Sequence, residues 1–466
     1  MKKHLPLTLF IPLVANATPE LEIKSAEPTL PVQAVIFSEK SANNGEITLT
    51  QELISKPELT RQMLNRAIDS RQFHLLPELV RIYQQTPNPD LILIDYANGI
   101  ILASQGDYKT AIDLYRGIIA KHPNFQPVRF RLAQMLFEDR QNEASLAQFR
   151  KLQADGLPPQ IANGVEQYIA AIQKRSDWSF DFGVNYLHES NVNNASSSPY
   201  VRVGNVPFKK TEESLPQSAN GLSYHLNLAK NWNVSGSHYL HFENQFSGKS
   251  YWDNHQFDDQ QNRSSLGYQY QNAQSRLAFL PYYEMRWYGN HRYNHGYGVR
   301  GEVEHWLTSQ WQLSTAGEMG KLKHRGENQL ADSTTLFGSA TLLYAFDAKS
   351  YLYGGVDLLR DRTLERSLAS KRYTGRIGWG QEWWGGISSR IQLSYGKREF
   401  DQAHRIFNQI RKDRELGLNV TLWHRNLHFW GITPKISYQY QRVNSNLVDL
   451  YSYKRNRVYL SFEKSF

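Results

Sequence analysis

Apolar residues along this chain follow three different spacings, and each predicts a different kind of element. Leu5 to Val14 is an unbroken apolar run, preceded by Lys2 and Lys3 and followed by Ala15-Asn16-Ala17. Between Leu59 and Lys174, Leu, Ile, Ala and Tyr recur every three to four positions, with proline-containing breaks around 87–89, 123–127 and 158–159. That spacing predicts amphipathic helices joined by short turns. From Asp177 onward the period is two: Trp178, Phe180, Phe182, Val184 and Tyr186 alternate with Ser179, Asp181, Gly183 and Asn185. Such segments put one face in lipid and the other in a wet interior.

The same alternation recurs through the rest of the chain, for example at Leu336-Gly338-Ala340-Leu342-Tyr344 and Leu416-Leu418-Val420-Leu422. It predicts fourteen strands, near 177–187, 220–230, 236–246, 263–271, 275–286, 296–306, 309–319, 333–345, 349–359, 370–381, 387–396, 412–422, 430–440 and 456–466. Nine to eleven residues suit a tilted transmembrane strand. The expected connections alternate between long and short, from about 32 residues in the first to about 2 or 3 in the tightest. Long loops outside, short turns in the periplasm and an even strand count return both barrel ends to the periplasmic side.

The helical segment carries a repeat of 34 residues: Gly99 matches Ala133, Leu102 matches Leu136, Tyr115 matches Phe149, and Ala111 falls one place from Ala144. This is a tetratricopeptide period. Gly99 and Ala111 are small where paired helices approach, Tyr115 is expected to fill the next repeat's groove, and Pro123 ends a helix. Pro89 marks an earlier, degenerate repeat. Taken singly these residues read as the core of a helical bundle; their shared period makes them repeats, which form grooves for peptide or protein segments.

Composition then sets the address. The charged, apolar, small-residue order at the N-terminus is that of a secretory signal peptide, cleaved after Ala17, and ten apolar residues are too few to anchor a helix in a bilayer. The chain has no cysteine and is 13% aromatic, and its mean hydropathy is −0.59. A barrel hides from hydropathy but shows its interfacial aromatics. Residues 18–175 hold 17 basic and 18 acidic side chains and residues 176–466 hold 34 and 26, so the barrel half carries the positive charge. An exported chain meets lipopolysaccharide phosphates before nucleic acid, which is excluded as a partner.

The resulting reading is an α + β membrane protein. It has a signal peptide over 1–17, a flexible periplasmic leader over 18–58, a periplasmic α-helical tetratricopeptide-like domain over 59–175, and a 14-stranded antiparallel outer-membrane β-barrel over 176–466. Val458, Leu460, Phe462 and the terminal Phe466 form the signal for the barrel assembly machinery, with Lys464 standing where an apolar residue is expected. The chain is expected to be a monomer.

Motifs that spell chemistry are weak. Gly296-Tyr-Gly298-Val-Arg-Gly301 has dinucleotide-fingerprint spelling but lies in an alternating strand rather than opening a helix. His291 and His295 fall beside Tyr293 in an expected surface loop, where a hydrophilic edge outweighs a metal site. Asp253, Asp258 and Asp259 read as solvated loop charge, lacking the Gly and Glu of a calcium loop. No nucleophile elbow is present, so no catalytic residue, metal or cofactor is assigned. Lys397, Arg398, Arg405, Arg411 and Lys412 make the sixth long loop basic, with Lys454, Arg455 and Arg457 close to the last loop; lipopolysaccharide contact is weighed against ordinary solvated charge.

The order of signal, repeat pair, junction Ser176-Asp-Trp-Ser-Phe-Asp-Phe-Gly-Val-Asn-Tyr-Leu-His-Glu-Ser-Asn-Val-Asn-Asn194 and fourteen-strand barrel resembles the surface lipoprotein assembly modulator (Slam) family. So does the helix Phe125-Gln-Pro-Val-Arg-Phe-Arg-Leu-Ala-Gln-Met-Leu136. The resemblance covers nearly the whole mature chain. It implies an outer-membrane translocator that delivers a client protein, a surface lipoprotein or a secreted haem-binding or metal-acquisition protein, from the periplasm to the surface or medium. The alternative is a passive channel or exporter of polysaccharide or small molecules. On the leading reading Gly99, Leu102, Ala111, Tyr115, Pro123, Ala133, Leu136 and Phe149 mark the client groove.

Overall fold

A computed structural model describes residues 23–28, 50–155, 157–204, 206–427, 429 and 432–465. The expected signal peptide and Phe466 lie outside the described residues. The helical part runs α1 (Thr50–Ser55), α2 (Pro57–Asp69), α3 (Leu76–Tyr83), α4 (Leu91–Ser104), α5 (Tyr108–Lys121), α6 (Gln126–Glu138), α7 (Asn142–Ala154) and α8 (Pro159–Ser176). Proline stands in the first turn of α2, α3, α6 and α8, where its missing N–H costs nothing. Asp90 caps α4 by accepting from the Ile92 and Leu93 amides, and Asp107 caps α5 through Thr110.

Helix thus begins at Thr50 rather than Leu59, inside the segment expected to be leader. Thr60 explains why: it is fully buried and its hydroxyl donates to Leu53 O at 2.8 Å, tying α2 back to α1.

Fourteen antiparallel strands close into a barrel: β1 (Ser179–Glu189), β4 (Ala219–Ser235), β5 (His238–Tyr251), β6 (Asp259–Gln271), β7 (Ser275–Tyr288), β8 (His291–Trp306), β9 (Trp311–His324), β10 (Ser333–Ala345), β11 (Ser350–Thr363), β12 (Ser370–Glu382), β13 (Ile387–Ala403), β14 (Ile410–His424), β15 (Lys435–Ser445) and β16 (Tyr453–Ser465). β2 (Tyr200–Val203) and β3 (Val206–Lys209) form a separate hairpin in the first long loop, and α9 (Val448–Tyr451) sits in the last. β1 pairs with β16 from Asp181↔Ser465 to Glu189↔Arg457, completing the ring.

β10 shows what holds the wall. Ser333, Thr335, Ser339 and Thr341 are buried toward the lumen, while Leu336 and Leu342 are exposed outward. β10 is paired from Ser333 to Tyr344 with both β9 and β11, the arrangement that lets a backbone cross lipid without helices. Rings gather at the end that carries the helical domain: Trp178 against Trp232 (6.0 Å between centroids), Trp311 against Tyr344 (4.7 Å) and Trp379 against Trp383 (5.6 Å). They form an interfacial girdle.

Two expectations about β8 are corrected. The loop expected before it is a two-residue turn, because Gly289 and Asn290 take positive φ (56° and 63°) and close a tight hairpin. His291 and His295 consequently lie in the strand, where positions four apart are separated by roughly 13 Å.

Candidate functional site

The signature residues of the repeats turn inward. Ala111, Tyr115, Ala133, Leu136 and Phe149 have essentially no exposed surface, and Leu102 packs against the same core. Tyr115 lies over Gly99 of its own repeat, with its hydroxyl donating to Tyr96 O at 2.6 Å, and also joins Val128 and Leu132 of the next one. Burial holds its phenol well above the usual tyrosine range. The partner of Ala111 one period on is Ser145 rather than Ala144: Ser145 is fully buried and donates to Ala133 O at 2.8 Å. Pro123 is exposed and its carbonyl accepts from Arg129.

The residues that remain partly accessible are different ones. Phe130 and Phe137 on α6 and Tyr168 on α8 form an aromatic set over Phe149, with Tyr168–Phe137 at 5.1 Å and Tyr168–Phe149 at 5.0 Å between centroids. Gln134 donates to the Tyr168 hydroxyl at 3.1 Å, and the Arg175 guanidinium lies 3.5 Å over the Phe137 ring. Such a surface offers stacking and amide contacts to a peptide. The sequence reading missed it because half-buried aromatics at helical spacing look like core.

This domain is seated on the barrel. Ser237 donates to Asp139 O (3.3 Å), Tyr239 donates to Arg140 O, and the Glu143 amide donates to Asn233 Oδ1 (2.9 Å). Burial at this junction raises the Asp139 carboxyl above the usual range. Beside these contacts a cavity of about 860 Å³ opens between Tyr108, Arg116 and Glu143 on the helices and Ser235, His238 and Tyr270 on the strands.

Inside the barrel, charges are matched in a chain along β6 to β9. Arg263 donates to both Glu318 oxygens (3.1 and 2.9 Å), Tyr282 donates to Glu318 (2.8 Å), and Arg300 bridges Glu318 (3.2 Å) to Glu302 (2.6 Å). Arg276 extends it to Glu302 (2.9 Å) and Glu304 (2.5 Å). Buried charge persists only when paired, so this wall is polar and fixed. A second network crosses β10, β11 and β12: Arg376 donates to both oxygens of Asp357 (2.6 and 2.9 Å) and to Thr341 (3.0 Å), and Ser339 donates to Asp357 (2.7 Å).

Residues 23–28, within the segment expected to be a flexible periplasmic leader, lie in this lumen. Ser25 donates to Asp357 Oδ2 (3.1 Å), the Ala26 amide donates to Ser339 (2.9 Å), and Thr341 donates to Ala26 O (2.6 Å). A cavity of about 520 Å³ remains between this segment and β14, β15 and β16.

At the far end, the junction motif covers the β1–β16 seam. Glu189 is buried against Arg457 (2.8 Å) and accepts from Tyr251 (2.7 Å). Ser190 and Asn456 exchange hydrogen bonds (3.0 and 2.9 Å), and Asn191 donates to Lys454 O (3.2 Å) and Ala195 O (2.9 Å). Asn193 donates to Leu215 O (2.8 Å), and Asn194 accepts from Arg455. Asp449 of α9 holds the β2–β3 hairpin through Ser198 (3.1 Å) and the Arg202 amide (3.3 Å).

Of the residues expected in basic loops, Arg405 lies in the β13–β14 connection, whereas Lys397, Arg398, Arg411 and Lys412 lie in β13 and β14 and Lys454, Arg455 and Arg457 in β16, because the ladder runs on beyond the apolar band. Several are matched by the chain's own groups: Arg405 by Glu365, Arg411 by Asp413 (2.7 Å), Lys412 by Glu399 (2.8 Å) and Arg398 by Ser370 (3.0 Å). Asp258 is buried, accepting from the Tyr251 amide (2.7 Å), while Asp259 pairs with Arg286 (2.6 Å). The glycine fingerprint lies within β8. Among the described residues no group of three or more potential metal ligands converges.

A closed barrel with a lipid-facing apolar band, carrying tetratricopeptide helices at one mouth, defines an outer-membrane β-barrel protein with a helical domain in the periplasm. Residues 178–466 match the family described as "Surface lipoprotein assembly modifier", and residues 47–149 match its N-terminal TPR repeats. The chain belongs to this family. It is 35% identical to the Surface lipoprotein assembly modifier of Pasteurella multocida over 97% of this chain and 93% of that one. Surface lipoprotein assembly modifier 1 of Neisseria meningitidis is 33% identical over 89% and 84%. The Hemophilin secretion modulator of Acinetobacter baumannii is 26% identical over 82% and 81%.

Proposed function

We infer that this protein is an outer-membrane translocator that takes a client protein from the periplasm to the cell surface or the medium. The observation that carries the reading is the seating of the repeat domain on the rim of the barrel at the β4–β5 turn, through the same α6–α7 region that carries the Phe130–Phe137 aromatic surface. A surface lipoprotein is the client class that most relatives' names indicate, and a soluble haem-binding protein is the one that the Acinetobacter relative's name indicates. The repeats capture, the barrel supplies the route, and no covalent step is required. On this reading residues 1–17 direct export, the barrel assembly machinery inserts the barrel, and the chain works as a monomer beside lipopolysaccharide.

Deleting residues 59–174 tests the assignment. The strands satisfy their backbone groups against each other, so a heat-modifiable barrel should persist. Surface exposure of a co-expressed client encoded beside the gene should collapse. A truncated barrel that delivers the client at the full-length rate overturns the receptor role and leaves a passive channel.

A further inference from the structure

Residues 23–28 are held in the barrel by a cradle that reads backbone. Ser339 accepts the Ala26 N–H and Thr341 donates to the Ala26 C=O, so one residue has both its main-chain groups bonded to neighbouring positions on the inner face of β10. Those hydroxyls are oriented by the pair behind them: Ser339 gives its proton to Asp357, and Arg376 donates to Ser339 (3.2 Å), Thr341 and Asp357. Gly355 leaves the room this requires, because a Cβ there would lie 2.6 Å from Thr341 Oγ1 and 2.9 Å from Arg376 Nη2. Flanking side chains add selectivity. Ser25 donates to Asp357, and Glu27 faces Arg390 at 3.6 Å, while Ala26 between them is buried at 7% exposure.

We propose that Ser339, Thr341, Asp357 and Arg376 form a mid-lumen binding site for an extended polypeptide segment, and that residues 23–28 are its resident occupant. The segment it fits has a hydroxyl residue, then a small residue, then an acidic one. Four positions of one wall fix a backbone geometry that a second extended chain shares, so an incoming client segment of this pattern competes for the same bonds. The adjoining cavity of about 520 Å³ gives that segment a place to lie before exchange. The identity of the competitor rests on the translocator reading; the site itself does not.

Because residues 23–28 belong to the same chain as the site, a free peptide meets an intramolecular competitor in the intact chain. The test uses the purified full chain and a variant lacking residues 23–28, both checked for heat-modifiable mobility. The probe is a fluorescent capped peptide, Ile-Lys-Ser-Ala-Glu-Pro, followed by anisotropy. The deletion variant should bind at least about tenfold more tightly than the intact chain. Replacing the peptide's Ala by Pro, which removes the N–H, or Thr341 by Val in the deletion variant, should remove most of that gain. If the deletion variant does not fold, Ala26→Pro in the intact chain takes its place and should likewise raise peptide binding. Equal binding by intact and vacated barrels, or indifference to the missing N–H, overturns the proposal. No client is used, so failure here leaves the translocator reading standing, and failure of client display leaves this site standing.

Discussion

A methyl group added to Gly99 would lie 2.1 Å from Cε1 of Tyr115, a ring with no exposed surface and a hydroxyl fixed on the Tyr96 carbonyl. Gly99→Ala should therefore destabilise the helical domain by about 1–3 kcal/mol, the cost of overpacking a tight core. Tyr115→Phe, which loses only the hydrogen bond, should cost about 1 kcal/mol. Thermal unfolding of the purified protein followed by circular dichroism ranks the two; equal tolerance would mean that this helix pair is loosely packed. The buried signature was legible because a shared period singles it out. Asn191, Asn193 and Asn194 were legible only as part of a family resemblance, since Asn191 and Asn194 bond residues about 260 positions away and no local pattern encodes that.

Strands were legible where lipid enforces alternation and less so where they leave it. β10 begins and ends where the pattern places it, whereas β8 starts at His291 and β13 runs on to Ala403 through segments polar on both faces. Beyond the apolar band the ladder continues without a lipid-facing row, and so the period fades while the hydrogen bonding does not. The band itself is testable on β14. Leu418 and Val420 share the outward face, and Asn419 lines the lumenal cavity. Leu418→Arg or Val420→Arg should cost about 2–4 kcal/mol at the bilayer midplane and reduce the heat-modifiable barrel, with Asn419→Arg milder. Three equal outcomes would show that the register is wrong.

At the scale of the whole molecule, the short turns after β4, β6, β8, β10 and β12 lie on the rim that carries the helices and the long β1–β4 connection with its β2–β3 hairpin lies on the other, so orientation can be read chemically. Single cysteines at Ser197 or Asn408, both exposed in long loops, should react with an impermeant thiol reagent on intact cells. A cysteine at Ser235, on the rim beside the helices, should react only after the outer membrane is opened. The chain has no native cysteine to blur the result, and inverted labelling would reverse the assigned topology. Domain order and strand number were legible because each rests on a repeating pattern; the lumenal position of residues 23–28 was not, since Ser, Ala, Glu and Pro in a short polar stretch carry no period and their partners are more than 300 residues away. The pairing of Asp181 with Ser465 has a further consequence for how the molecule comes into being. The first strand emerges without one of its two neighbours and waits for the last residues of the chain, the largest loop closure the barrel demands, and such long-range pairing is slow. The helical domain, built from contacts near in sequence, is complete long before. An unfinished barrel therefore already carries a finished helical domain at its mouth, and only when Lys454 and Asn456 reach Asn191 and Ser190 does the outer cover record that the ring has shut.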